Sequence, residues 1–167
     1  GITAIAGGGG HSLALMNDGT VWAWGYGEAT GTGISSNFPV QVKGDSGVGF
    51  LTDITSIGAG LYNSISLKND GTVWAWGRNA QGELGNGNFT ASTYPVQVHG
   101  PDDVGFLTDV TAITGGDLSY GAISSNTLAL KSDGTVWAWG WNSSGQLGNG
   151  NTGTSSNTPV QVNSITG

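Results

Sequence analysis

Asp18-Gly19-Thr20-Val21-Trp22-Ala23-Trp24-Gly25 recurs, residue for residue, at positions 70–77 and again at 133–140. Each copy is followed, across a stretch rich in Gly, Asn, Ser and Thr, by Pro-Val-Gln-Val at residues 39–42, 95–98 and 159–162. Successive copies begin 52 and 63 residues apart. Self-similarity at such a period, built from short apolar runs, predicts a repeat fold whose units stack on one another.

The middle copy reads most cleanly as strands. Ile54 and Ile57 lie in a short β-prone run, residues 52–57. Ser64-Ile65-Ser66-Leu67 alternates polar and apolar, the period of a strand with one buried face. Asn69-Asp70-Gly71 supplies the positive-φ positions of a tight hairpin turn. Residues 72–76 return as a third strand, with Trp74 and Trp76 on one face and Val73 and Ala75 on the other. Both faces are apolar, so this strand must be covered on both sides. Val96-Gln97-Val98 predicts a fourth, outer strand with Pro95 at its start, where no ladder donor is lost.

Four short antiparallel strands, the third buried on both faces, describe a propeller blade, which needs a neighbour on each side. The fold class expected is therefore all-β: a single repeat domain of three four-stranded blades, at about residues 1–46, 47–102 and 103–167. Trp22, Trp24, Trp74, Trp76, Trp137 and Trp139 are expected in the cores between blades. There each ring can bury roughly 150–250 Å². Trp141 stands just past its strand, where the other copies have Tyr26 and Arg78, and is expected at the surface.

Composition narrows the function. Charged residues make up 9% of the chain, against about 25% in ordinary soluble domains. Only 4 residues are Lys or Arg and the net charge is −7, which argues against nucleic acid and anionic lipid, both of which need a basic face. Cysteine is absent, so disulfides and thiolate metal sites are excluded. No apolar run approaches the roughly 18 residues of a membrane-spanning helix, and Gly1-Ile2-Thr3 does not open a signal peptide. A lysine-poor, cysteine-free chain solvated by Asn, Ser, Thr and Gly fits an extracellular or cell-surface bacterial protein.

Gly9-Gly10-His11-Ser12-Leu13-Ala14-Leu15, the thrice-repeated string, Asn142-Ser143-Ser144-Gly145-Gln146-Leu147-Gly148-Asn149-Gly150 and the Pro-Val-Gln-Val runs together resemble the regulator of chromosome condensation repeat in its bacterial form. The resemblance spans nearly the whole chain. It implies a β-propeller, in that family usually seven-bladed, serving protein–protein recognition. Members with different partners share the fold, among them nucleotide-exchange factors and a secreted bacterial inhibitor of β-lactamase, so fold does not fix function.

Differences among the copies are the internal guide to a site. Ile113 to Thr127 spans 14 residues, whereas Ile5 to Ser12 and Ile57 to Ser64 each span 7. The third copy thus carries an insertion within residues 115–126, with Asp117, Leu118, Tyr120 and Ile123, on a rim where binding residues concentrate. The first copy is shortened after Gly25 and lacks the Leu-Gly-Asn-Gly turn of residues 84–87 and 147–150.

Catalytic constellations are wanting. His11 precedes Ser12, but Asn63 and Asn126 take the same place, so the shared property is hydrogen bonding. His99 matches Lys43 in a linker. Residues 7–10 are all Gly, but no Lys-Ser/Thr and no helix follow, so they form a repeat turn and not a phosphate cradle. Asp102, Asp103 and Asp117 lack calcium-loop spacing. Asn88-Phe89-Thr90 and Asn142-Ser143-Ser144 match glycan acceptors.

The reading is a non-enzymatic scaffold without cofactor or metal, binding another protein or further copies of itself. The alternative is a lectin-like propeller that stacks sugars on Tyr26, Trp141 and Tyr120. Partner-binding candidates are Asp117, Leu118, Tyr120, Ile123, Tyr26 and Trp141. Three blades leave two apolar blade faces open. Self-association is therefore expected, as a six-bladed dimer or a head-to-tail fibre, with an excerpt of a longer propeller as the other reading.

Overall fold

The Asp-Gly-Thr of each repeated string is a turn built by its own side chains. Asp18 Oδ1 accepts hydrogen bonds from the Thr20 backbone N–H at 3.0 Å and hydroxyl at 2.7 Å, while Gly19 takes φ 79°. Asp70 with Thr72 and Asp133 with Thr135 repeat the arrangement. These bonds favour the ionised carboxylate and hold all three aspartates below the usual range.

The turns join strands in a computed structural model that describes residues 1–116 and 125–163. The first sheet contains β1 (Ile2–Gly7), β2 (His11–Met16), β3 (Val21–Gly25) and β4 (Ser36–Gln41). The second contains β5 (Ile54–Ala59), β6 (Asn63–Lys68), β7 (Val73–Gly77) and β8 (Ser92–Gln97). The third contains β9 (Val110–Gly115), β10 (Asn126–Lys131), β11 (Val136–Gly140) and β12 (Ser156–Gln161). Every sheet runs in chain order with antiparallel neighbours, the meander of a propeller blade. Helical structure among the described residues is limited to 3-10 turns at Gly27–Thr30, Asp45–Gly47 and Pro101–Asp103. Among the described residues no helix is long and apolar enough to cross a membrane.

One strand boundary differs from expectation. Pro95 lies inside the outer strand, not at its start, as do Pro39 and Pro159. The reason is local: β8 is an edge, and its pairing with β7 shifts register between Ala75 and Gly77. At a bulge on an edge strand the missing N–H costs no ladder bond.

The core lies between blades. Leu13, Leu15, Val21, Ala23 and Val42 of the first blade pack against Ile54 and Trp76 of the second, with Leu51 of the linker. Ile65, Leu67, Val73, Ala75 and Val98 of the second receive Val110 and Trp139 of the third, with Leu107 of the next linker. The two faces of the third strand therefore point as their sequence implies: Val and Ala toward the following blade, the second Trp toward the preceding one.

The Trp pair is not uniform, which corrects the expectation of six core tryptophans. Trp76 and Trp139 are fully buried, whereas Trp22, Trp24, Trp74 and Trp137 are half-buried. In Trp74 and Trp137 the indole N–H turns back to the Thr of its own turn. Trp24 has the sequence position of Trp76 and Trp139 but no preceding blade among the described residues.

Candidate functional site

His11 is buried and sits where the first blade meets the second. Ser64 Oγ gives its one hydrogen to the Ala29 carbonyl at 2.8 Å, so the 2.8 Å contact with His11 Nε2 makes the imidazole the donor. His11 Nδ1 is then a buried acceptor with no partner. Burial lowers the imidazole to about 4, so the side chain is neutral near pH 7. In the second blade Asn63 takes its place and accepts from Ser125 Oγ at 2.6 Å. The pattern is a structural joint between blades, in keeping with the hydrogen-bonding role read from the sequence. His99 joins Asp103 at 2.6 Å and meets the Phe106 ring edge-on. Lys43 lies 4.7 Å over Phe50 in the matching linker. Among the described residues no three His, Asp or Glu side chains gather to hold a metal.

Side chains that face solvent together lie on the other rim, formed by the β1–β2 turns and the β3–β4 loops. The backbone N–H groups of Tyr26, Arg78 and Trp141 bond to the carbonyls of Gly10, Tyr62 and Ser125, so these three occupy one rim position in successive blades. Gly25, Gly77 and Gly140 make this possible: they take φ 108°, 103° and 92°, and a Cβ there would strike the preceding turn's backbone. Tyr26 and Tyr62 pack edge to face, ring centroids 5.4 Å apart. With Glu28 and Arg78 they line an open hollow of about 280 Å³ between the first two blades. Arg78 is the chain's single arginine, and among the described residues it forms no ion pair with Glu28.

The loops that frame this rim are held by buried asparagines. Asn79 donates to the carbonyls of Asn88 and Thr90, both at 3.0 Å, and accepts from the Leu84 N–H at 2.9 Å. Asn142 likewise donates to Asn151 and Thr154 and accepts from Leu147. Asn142 is fully buried, which removes it as a glycan acceptor despite its sequence match. The first blade has Gly27 in this position, and Thr30 closes the shorter loop with bonds to Gly27 and Ile34.

Of the sequence candidates, Tyr26 is exposed in the hollow. Trp141 belongs to the same rim row but is half-buried, not free at the surface; its indole N–H is enclosed without a partner among the described residues. Asp117, Leu118, Tyr120 and Ile123 lie outside the described residues. Sequence reasoning missed Tyr62, Glu28 and Arg78. Comparing residues next to each repeat turn points to Tyr62, because Gly10 and Ser125 fill its place in the other blades.

Known proteins share this architecture. The chain superposes on human WBSCR16 with a TM-score of 0.75 at 23% identity, over 97% of this chain and 38% of that one. Prp20p of Saccharomyces cerevisiae gives a TM-score of 0.75 at 20% identity, over 98% and 39%. In sequence the chain is 28% identical to the ultraviolet-B receptor UVR8 of Arabidopsis thaliana, over 96% of this chain and 34% of that protein. It is 32% identical to the human probable E3 ubiquitin-protein ligase HERC6, over 93% and 14%. The chain thus spans about a third or less of these curated relatives. Residues 70–122 and 133–167 match the Regulator of chromosome condensation (RCC1) repeat, and a second description of that repeat matches residues 2–29, 54–83 and 119–146. With both matches falling on the blades, the chain belongs to the regulator of chromosome condensation (RCC1) repeat family.

Proposed function

We propose that this chain is a non-enzymatic protein-recognition scaffold that receives a polypeptide at the rim of Tyr26, Tyr62, Glu28 and Arg78. The observation that carries the reading is the hollow itself: two tyrosines packed edge to face beside Arg78 and Glu28, which form no ion pair with each other among the described residues. Tyrosine and arginine are the side chains that dominate protein interfaces, because they bury large area with few rotors and keep a polar tip. Trp141 continues the row on the third blade, where its backbone N–H bonds to the Ser125 carbonyl. Among the structural neighbours, Prp20p has reported binding properties to Gsp1p and histones, which supports protein recognition as a use of this fold. The composition supports an extracellular or cell-surface setting for the same activity.

The test is selection of peptides from a random library on the intact chain, with a glycan array run in parallel. Binders that lose at least tenfold in affinity with Tyr26→Ala and Arg78→Ala, but not with Phe38→Ser on the exposed outer strand, support the reading. Binders indifferent to both rim substitutions overturn it. Glycans that bind through Tyr26 would replace it with the lectin reading.

A further inference from the structure

A second open hollow, of about 360 Å³, lies over the outer strand of the middle blade. Its walls come from segments far apart in the chain: Asp45 of the first linker, Trp74 of β7, Asn86 of the β7–β8 loop, Gln97 of β8, and His99 with Phe106 of the second linker. The middle blade is flanked by a blade on each side, so these walls are internal to the array.

Local contacts set the side chains in place. Lys43 pairs with Phe50, and His99 with Phe106, across short linker hairpins. The tip of the first hairpin rests on β8, where Gly47 at φ 79° lies so near the Tyr94 ring that a Cβ would clash. That contact carries Asp45 across to the hollow. In the second hairpin the Asp103 carboxylate accepts from His99 Nδ1 at 2.6 Å. Gly87 leaves space for this pair, because a Cβ there would strike Asp103 Oδ1.

The polar atoms left over gather at one place. Among the described residues the Gln97 amide makes no hydrogen bond, nor do His99 Nε2, Asn86 Nδ2 and Asp45 Oδ2. Phe106, 53% exposed, adds an aromatic ring beside them. The same places in the other blades differ. The Lys43, His99 and Asn163 N–H groups bond to Gly31, Gly85 and Gly148, which fixes the register. Over the first blade Thr32 replaces Asn86, and Lys43 replaces His99 with its ammonium 4.7 Å over Phe50. Over the third, Pro101 replaces Asp45 and Asn163 replaces His99.

This chemistry selects one ligand class. Small-molecule sites occupy roughly 300–1,000 Å³ and are mostly apolar; this one is small and rich in amides. An apolar ligand would leave those amides unpaired. An anion would meet Asp45 in a chain of net charge −7. A cation would meet Lys68, whose Nζ already lies 5.9 Å over the Trp74 ring. Sugar hydroxyls donate and accept, as amides do, and the C–H face of a sugar ring packs on an aromatic ring.

We propose that this hollow binds a neutral saccharide, with Asn86, Gln97 and Asp45 on its hydroxyls and Phe106 against a ring face. The hollow shares no residue with the tyrosine rim, so either reading stands without the other.

An array of neutral mono- and oligosaccharides, followed by calorimetric titration of the best binder into the intact chain, tests it. Gln97→Ala and Phe106→Ala should each weaken binding about tenfold or more while the melting temperature holds. Asp45→Asn, at an exposed position, should weaken it without risk to the fold. Phe50→Ala in the matching linker and Tyr26→Ala on the tyrosine rim should leave it unchanged. Absence of saccharide binding at millimolar concentration overturns the proposal. So does a saccharide indifferent to Gln97→Ala and Phe106→Ala, or one lost with Tyr26→Ala instead. Arginine methyl ester is the cationic probe: if it binds through Asp45 and Phe106 where saccharides do not, the hollow is a cation site and the proposal falls.

Discussion

Trp24 and Trp76 hold the same place in the same eight-residue string, yet Trp76 is fully buried with its indole N–H bonded across a blade junction while Trp24 is half-buried with no such bond. The string is thus sufficient for the strand and its turn, because those depend on neighbours in sequence. Burial of the Trp depends on a neighbour in space. A blade's stability is therefore a sum of an internal term and a junction term, as in other repeat arrays.

The largest effect that could break this comparison is at the paired tryptophans. Trp76→Ala or Trp139→Ala should cost roughly 3–5 kcal/mol, the range for emptying a large aromatic from a core. Trp24→Ala should cost about 1 kcal/mol or less, in proportion to its smaller burial. Urea unfolding of the three variants decides. Equal losses at Trp24 and Trp76 would show that the ring is stabilised within its own blade, and the distinction between string and junction would fail.

A second test compares loops of different blades. Asn79→Ala leaves the buried Leu84 N–H and the carbonyls it joins without their partner, and should cost about 2–3 kcal/mol. Thr30→Ala in the shortened loop of the first blade removes one hydroxyl hydrogen that the Gly27 and Ile34 carbonyls share, and should cost about 1 kcal/mol. Thermal melts of the two variants give the order. The reverse order would mean that the shorter loop, not the asparagine-centred one, braces the rim.

How much of this was legible in the sequence follows the same division. The blades were readable because period-two alternation and Asp-Gly turns are local signals: Ser64-Ile65-Ser66-Leu67 and Asp70-Gly71 fall where a strand and a hairpin form. Pro95 misled, because a proline can open a strand or sit in an edge bulge, and only the pairing with Gly77 and Ala75 distinguishes the two. The first Trp of the second and third pairs misled for a related reason: alternation puts Trp74 and Trp137 on the same face as Trp76 and Trp139, but each N–H closes its own turn. The rim was half legible. Tyr26 was found by comparing copies, whereas Tyr62 needed the edge-to-face contact of its ring with Tyr26 to show that it lines the same hollow.

The smallest effect expected separates two junctions by pH. His11 and Asn63 do the same structural work, but only His11 can take up a proton. Its ordinary pKa of 6.5 falls to about 4 in the folded chain through burial. Between those values the unfolded chain binds the proton and the folded chain does not, so stability is complete above about pH 6.5 and declines as the pH falls toward 4. By pH 5 the loss should reach about 2 kcal/mol. The charged ring cannot be accommodated where it stands, because a protonated Nδ1 would be a buried donor with no acceptor. His11→Asn copies the residue of the second blade and removes the titration. Melting curves at pH 7 and pH 5 should therefore converge for that variant, apart from the loss common to carboxylates such as Asp18 and Asp70, whose lowered pKa values act only at more acid pH. An undiminished pH dependence in His11→Asn would place the acid sensitivity elsewhere and leave the two junctions electrostatically equivalent.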